Sequence, residues 1–392
     1  MTTRNLENIT IHQFRGLKEL ELKNLGQINL LVGINNSGKT SVLEALSVYC
    51  DPLDLRGWVS TARQREEMFS SSRTPPLDAL RWLFNKDTAN VGVGNIVISG
   101  NGTFAVKKMR AVYENIEGMF FPQKRKEFVH MNESINSEDE DIQISDDEDI
   151  LELRKGLDLQ VEIEVHDNQL KLFNDGSPIF VDTYRLWEND FLLSKKSTKN
   201  EFKLPISMVT PTSHRSNIGQ FRLLSEARFY NFKSDVLDLL VQMDQNISDI
   251  EILLQPESIS SRFSIYIQHK KLGLVPVSSF GDGVRRLLHI ALKLVNLKNG
   301  VFLIDELEST IHTEALQNSF QWLVKWCKEL NVQLFATTHS LEAVDALLAV
   351  TEDVSDLVLY RLEPKENCTK VIRHDWSRLK RLREELGQEV RW

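Results

Sequence analysis

Cysteine is scarce in this sequence. The three thiols in 392 residues, Cys50, Cys327 and Cys368, lie far apart and form no CxxC pair, which excludes a disulfide framework and a thiolate zinc site. Buried thiols are expected instead. Long apolar runs are missing too: no stretch of about 18 apolar residues occurs, so no membrane partner is expected. The opening MTTRNLENITIHQF lacks a basic head followed by an apolar stretch and cleavage site, which makes a cytoplasmic address the expectation. Basic charge is not in excess, since 47 Lys and Arg against 56 Asp and Glu leave −9. A surface built as a whole for polyanions is therefore excluded. Sustained heptads and internal repeats are absent, and a long coiled coil with them.

Apolar residues make up 41% of the chain, enough for a sizeable core in one large domain or two ordinary ones. Charge is unevenly spread. Residues 133–152 are densely acidic without an aromatic and read as a solvated, disordered loop that lacks calcium-loop spacing. Residues 373–391 are rich in Lys and Arg and read as a solvated helix face, with a DNA or protein contact as the alternative.

Apolar and polar residues alternate over 9–14 and 20–23, which predicts a half-buried antiparallel pair. Residues 28–32 (INLLV) form an apolar run, interrupted by Asn29, that ends at Gly33, as in a strand buried on both faces. Helical periodicity follows Lys39. Between 51 and 271 the pattern changes to short strands at 95–99, 103–113, 160–165 and 169–173, then a helical stretch over 218–254. A hairpin is expected from 263–269 and 272–277, turning at Lys270-Lys271. After it the chain alternates: helix 282–297, strand 301–304, helix 313–330, strand 332–337, helix 341–348, strand 356–362.

Four motifs sit on this frame. GINNSGKT at 33–40, between strand and helix, is a phosphate-binding loop. Asn35, Asn36, Ser37, Gly38, Lys39, Thr40 and Ser41 are its nucleotide-binding candidates: backbone N–H groups surround a phosphate at the positive helix end. Lys39 reaches the β- and γ-phosphates of ATP and Thr40 ligates Mg2+. VFLIDE at 301–306 delivers two acids to a strand end, with Asp305 holding magnesium and Glu306 polarising the attacking water. SSFGDG at 278–283 opens a helix leading to that strand. Ser279, Gly281 and Gly283 form a second anion site there, and one subunit cannot aim two helix termini at one γ-phosphate. It is therefore expected to act on a second copy of the chain. TTHS at 337–340 ends the next strand, and His339 can contact the γ-phosphate and sense its loss.

These residues resemble ATP-binding-cassette ATPases of the RecF, SMC and OLD type, especially OLD-like AAA ATPases. The resemblance is carried by ITIHQFRGLKELEL, INLLVGINNSGKTSVLEAL, SSFGDGVRRLL, LIDELESTIH, ATTHS and LREELGQEVRW. It covers residues 1–50 and 272–392 and is weak between them. The fold it implies is α/β, a P-loop NTPase head of ABC type, with a mixed sheet, flanking helices and an inserted strand-rich and helical region at 51–271. Two nucleotides sandwiched in a head-to-tail homodimer or higher oligomer are implied as well, together with a switch role for His339 and an approach of Arg15 to the phosphates. Gln64 is a candidate for the Q-loop glutamine, whose position stays open.

Two departures from the family stand out. Its members usually read DEPE and then LHP, where this chain has Asp305-Glu306-Leu307-Glu308 and Ile311-His312-Thr313. OLD nucleases carry a metal-dependent nuclease domain after the ATPase, and the sequence runs about fifty residues past His339 without assembling a further carboxylate cluster. The expected function is an ATPase that senses or regulates within a bacterial defence system, controlling a separately encoded effector such as a nuclease. The alternatives are a RecF-like ATP-dependent DNA-binding repair protein and a nucleotide-regulated structural protein.

Overall fold

The computed structural model describes residues 4–66, 74–86, 92–120, 152–166, 179–188, 200–215, 219–254, 263–352, 356–365 and 368–392. The acidic block up to residue 151 and the strand expected at 169–173 lie outside them. In chain order the elements begin with β1 (Asn8–Phe14), β2 (Leu17–Leu22), β3 (Ile28–Val32), α1 (Lys39–Cys50), α2 (Leu55–Ala62), α3 (Pro76–Arg81) and β4 (Asn85–Lys86). They continue with β5 (Val93–Asn101), β6 (Val106–Phe120), β7 (Glu152–Val165), β8 (Ile179–Trp187), β9 (Ile206–Val209), α4 (Gln220–Phe229) and α5 (Lys233–Met243). Next come β10 (Ile247–Leu254), β11 (Phe263–His269), β12 (Gly273–Pro276), α6 (Asp282–Val295), β13 (Val301–Ile304) and α7 (Thr313–Glu329). The last are β14 (Gln333–Thr337), α8 (Leu341–Val350), β15 (Leu357–Pro364), β16 (Thr369–Asp375) and α9 (Trp376–Lys380).

The central sheet has the order β16-β15-β3-β14-β13-β9. Its strands are parallel except β16, which returns antiparallel on β15. Strands β3, β13 and β14 are wholly buried, because their alternate side chains feed two separate cores. Leu30, Phe302, Leu334 and Leu359 pack with Leu288 of α6 and Phe320 of α7. Leu31, Leu303, Phe335 and Val358 pack with Leu43 and Leu46 of α1 and with Ile11 and Ile98 beyond them. Those last two belong to an antiparallel sheet of order β2-β1-β5-β6-β7-β8, with β4 on β5. Helix α1 is thus buried between two sheets, a mixed α/β head in three layers.

The described residues of 51–271 join this framework at several places. Strands β5–β8 extend the β1–β2 pair, β9 adds to the central sheet beside β13, and α4 and α5 line the α6 side of the core. The helical stretch expected over 218–254 ends early. Asp244 Oδ1 accepts from the Asn246 backbone at 2.9 Å and turns the chain, so the β-branched run Ile247, Ile250 and Ile252 enters β10 and pairs with β11. Of the thiols expected to be buried, Cys50 and Cys327 are, whereas Cys368 is exposed.

Topology decides where the site falls. Strand β14 lies between β3 and β13, with Leu31 opposite Thr337 and Ile304 opposite Ala336. The loop after β3, the end of β14 and the acids after β13 therefore emerge side by side at the carboxyl edge of one parallel sheet, where ligands of such sheets bind.

Candidate active site

Between Val32 and Lys39 the chain makes a loop whose backbone demands its residues. Gly33 has φ 149° and Gly38 φ 93°, and a Cβ on Gly38 would fall 2.5 Å from the Leu17 side chain. Asn36 takes φ 62°, which asparagine tolerates better than most residues. Gly38 is the N-cap of α1 and supplies no capping side chain, so the N–H groups of the first turn stay available to an anion. The Lys39 ammonium curls onto the carbonyls of Gly33 and Ile34 at 2.8 and 3.0 Å. Burial lowers its pKa, opposed by Asp305, Glu306 and Glu308.

Across from the loop, the Thr40 hydroxyl donates to both Asp305 carboxylate oxygens at 3.1 Å. Thr337 Oγ1 donates to Asp305 Oδ1 at 2.6 Å and accepts from the Glu306 N–H at 2.8 Å. Glu306 has φ 50°, which turns its exposed side chain into the cleft. A fully buried arginine supports that turn from behind. Arg286 of α6 is 0% exposed and donates to the carbonyls of Asp305 (2.9 Å), Glu306 (2.7 Å) and Thr210 (2.9 Å). Burial holds its pKa down to about 10.

Asn35 to Ser41, Arg65, Asp305, Glu306, Thr337 and His339 line one cleft of about 470 Å³. A hydroxyl and a carboxylate in contact are oxygen donors suited to a hard divalent cation, and Thr40 with Asp305 supply both. Magnesium fits this pair. His339 is exposed, and its N–H donates to Glu308 Oε1 at 2.9 Å. Glu308 also accepts from Thr338 Oγ1 at 2.7 Å. The departure from DEPE has a structural counterpart here: the Leu307 N–H donates to the Thr337 carbonyl at 2.9 Å, a bond proline cannot make.

Other expected residues lie outside this cleft. The Arg15 guanidinium pairs with Glu44 of α1 at 2.9 Å. Glu44, wholly buried, is also gripped by Arg65 at 2.8 Å. Burial raises the Glu44 pKa and the two arginines pull it back. Ser279 is exposed, and a Cβ on Gly281 would meet open space, whereas one on Gly283 would fall 2.8 Å from the Thr310 carbonyl. Between these glycines Asp282 binds Arg215 at 3.0 Å and Arg285 at 3.1 Å. Gln64 is not among the residues lining the cleft; its neighbour Arg65 is. Sequence reasoning overlooked Arg65, Glu44, Arg286 and Glu308. Glu44 and Arg286 carried a signal, each being a charge on a helix face otherwise apolar. Glu308 carried one as well, standing where the DEPE pattern has its last glutamate, and Arg65 carried none.

A family model described as "AAA domain, putative AbiEii toxin, Type IV TA system" matches residues 28–345. The chain belongs to this family of AAA ATPases. An uncharacterized protein of Methanocaldococcus jannaschii, MJECL11, is 38% identical over 113 residues, covering 28% of this chain and 98% of that protein. An ATP/GTP phosphatase of Helicobacter pylori is 20% identical over 378 residues, 87% of each chain. Among solved structures, an SMC head bound to the C-winged helix domain of ScpA is similar with a TM-score of 0.46 and 12% identity, covering 94% of this AAA chain and 98% of that one. Among the described residues no helix is long and apolar enough to cross a membrane.

Proposed function

We propose that this AAA ATPase binds ATP with magnesium in the cleft and hydrolyses it as half of a head-to-tail pair, as a regulator of OLD-like type acting on a separately encoded effector. The observation that carries the reading is the meeting of Thr40, Asp305 and Thr337 beside Lys39 and Glu306. In it Lys39 leaves its loop carbonyls for the phosphates, and Thr40 and Asp305 would hold magnesium, which would supply neutralising charge to the nucleotide. Glu306 accepts the proton of the attacking water. His339 contacts the γ-phosphate from the end of β14. Ser279 and Gly281 stand clear of this cleft, as residues serving a second copy's nucleotide would. The name of the Helicobacter relative, ATP/GTP phosphatase, supports the hydrolysis. The toxin–antitoxin description of the family supports the defence reading over DNA repair.

The test is Glu306→Gln, which keeps shape and removes the base. ATP binding at wild-type strength, turnover reduced at least a hundredfold and an ATP-dependent doubling of mass are expected. Unchanged hydrolysis removes Glu306 from the mechanism, and a chain that stays monomeric with ATP at high concentration removes the head-to-tail pair.

A further inference from the structure

The basic segment 373–391 is expected to be a solvated helix face, with a DNA or protein contact as the alternative, yet its Arg391 binds the backbone of a residue lining the cleft. Arg391 is 19% exposed, and its Nη1 donates to the backbone carbonyl of His339. Its other two nitrogens bind Glu389, Nε to Oε1 at 2.9 Å and Nη2 to Oε2 at 2.8 Å. This two-pronged geometry fixes the guanidinium plane. Glu389 Oε1 also accepts the N–H groups of Val390 and Arg391 at 3.0 and 2.9 Å, so the carboxylate is tied to the chain it orients. Val390 is 1% exposed in the core, and Arg383 grips Asp345 of α8 with two bonds of 2.8 Å. The segment is thus anchored at two points, Val390 and Arg383, before it reaches His339.

His339 needs such support. It stands between β14 and α8, outside either element's hydrogen-bond ladder, one residue before Ser340, whose Oγ caps α8 by accepting from the Ala343 N–H at 3.0 Å. Its N–H is held by Glu308 at 2.9 Å and its carbonyl by Arg391, so the peptide groups on both sides of an exposed imidazole are pinned by charged groups from distant parts of the chain. An exposed ion pair alone contributes little to stability. A partly buried, two-pronged pair whose spare donor ends on one carbonyl of the cleft contributes to position.

We propose that Arg391, oriented by Glu389, is a positioning residue that holds His339 over the cleft for the ATP γ-phosphate. The proposal rests on the reading of His339 as a phosphate contact. Steady-state hydrolysis of Mg-ATP by the full chain tests it in four variants: Arg391→Ala, Arg391→Lys, His339→Ala and the double Arg391→Ala/His339→Ala. Arg391→Ala is expected to lower kcat about tenfold with KM within about twofold, since a misplaced contact acts on the transition state more than on binding. Lysine, which still donates to the His339 carbonyl, restores part of the loss. Combined with His339→Ala, Arg391→Ala adds nothing, because two residues acting through one contact are non-additive. An equal loss from Arg391→Ala with and without His339 overturns the proposal, as does an unchanged kcat in Arg391→Ala. Should the alanine variant fail to fold, Arg391→Lys with and without His339→Ala decides by the same criterion. If His339→Ala itself turns over normally, the underlying reading of His339 fails and the proposal with it. That result is distinguishable because it appears in the single variant.

Discussion

Replacing Thr337 by valine exchanges one hydroxyl for a methyl at the junction of loop, acid and base. Thr337 is 1% exposed, and valine, also β-branched, keeps both the strand preference and the volume. What is lost is the 2.6 Å bond to Asp305 and the acceptor for the Glu306 N–H at 2.8 Å. A charge-assisted bond is worth about 1.5–3 kcal/mol and a neutral one about 0.5–1.5. Burying the new methyl returns roughly 0.8 kcal/mol, leaving a net destabilisation of roughly 2 kcal/mol. Asp305 keeps the Thr40 hydroxyl, shared between its two oxygens at 3.1 Å, but loses the shorter bond that sets its orientation. Loss of a group that orients a metal ligand typically weakens the metal by about 10–100-fold. The Mg2+ concentration for half-maximal ATP hydrolysis should therefore rise at least tenfold. Urea unfolding and a Mg2+ titration of turnover read the two effects, with Thr337→Ser, which keeps the hydroxyl, as the comparison. A valine variant that matches wild type in both measurements would refute the argument, since valine and threonine differ in the one group, methyl against hydroxyl, to which both effects are assigned.

Three further outcomes follow from the same geometry. Arg286→Lys should not restore the turnover lost in Arg286→Met, because one ammonium cannot replace a fork whose Nη1 holds the Thr210 carbonyl while Nη2 holds those of Asp305 and Glu306; steady-state kinetics on both variants checks this. Glu44→Gln should destabilise the chain by roughly 2 kcal/mol, taken below the usual cost of breaking a buried pair because the Arg65 side chain is 49% exposed; a thermal midpoint within about 1 °C of wild type would contradict it. His289 of α6 is 5% exposed and burial depresses its pKa to about 3, so the fold binds fewer protons than the unfolded chain between about pH 6.5 and 3. Its contribution is therefore fully present above pH 6.5 and shrinks by roughly 3 kcal/mol by pH 4, and His289→Leu should flatten that acid limb of a stability curve.

The parts of the fold legible from sequence are those where local pattern and tertiary placement agree. INLLV reads as a strand buried on both faces, and the run Val301 to Ile304 likewise, because the two cores take alternate residues; the one polar residue among them, Asn29, is buried with its amide bonded to the Gly26 and Leu334 carbonyls. Strand β9 had no such signature. ISMV is four residues long and becomes a strand only because β13, almost a hundred positions later, offers its edge. Strand β10 was mistaken for helix because Ile247, Ile250 and Ile252 satisfy both periods over so short a run, and the Asp244 turn decides between them. In the cleft, the spacing of GINNSGKT and of the acids was readable as chemistry. Arg65 was not, since nothing in a lone arginine twenty-one positions from Glu44 announces that a buried carboxylate will need it.

The departure from DEPE shows how far a motif can change while its loop keeps a purpose. With leucine in place of proline, position 307 regains an N–H and spends it on the Thr337 carbonyl, and the Leu307 side chain is buried at 1% exposure. The loop is then closed from both ends: Arg286 holds the carbonyls before Leu307, and Glu308 holds the Thr338 hydroxyl and the His339 N–H after it. Leu307→Pro should therefore not act as a return to a family consensus. It removes one bond, and it forces Glu306 away from the helical region of backbone space toward extended conformations, although Glu306 sits at φ 50°. The expected result is a loss of hydrolysis larger than that of Leu307→Ala, which keeps the N–H and gives up only packing, about 2–5 kcal/mol of stability. Turnover measured below the unfolding temperature of both variants separates the two, and a proline variant as active as the alanine one would show that the Thr337 bond does not hold the acid in place.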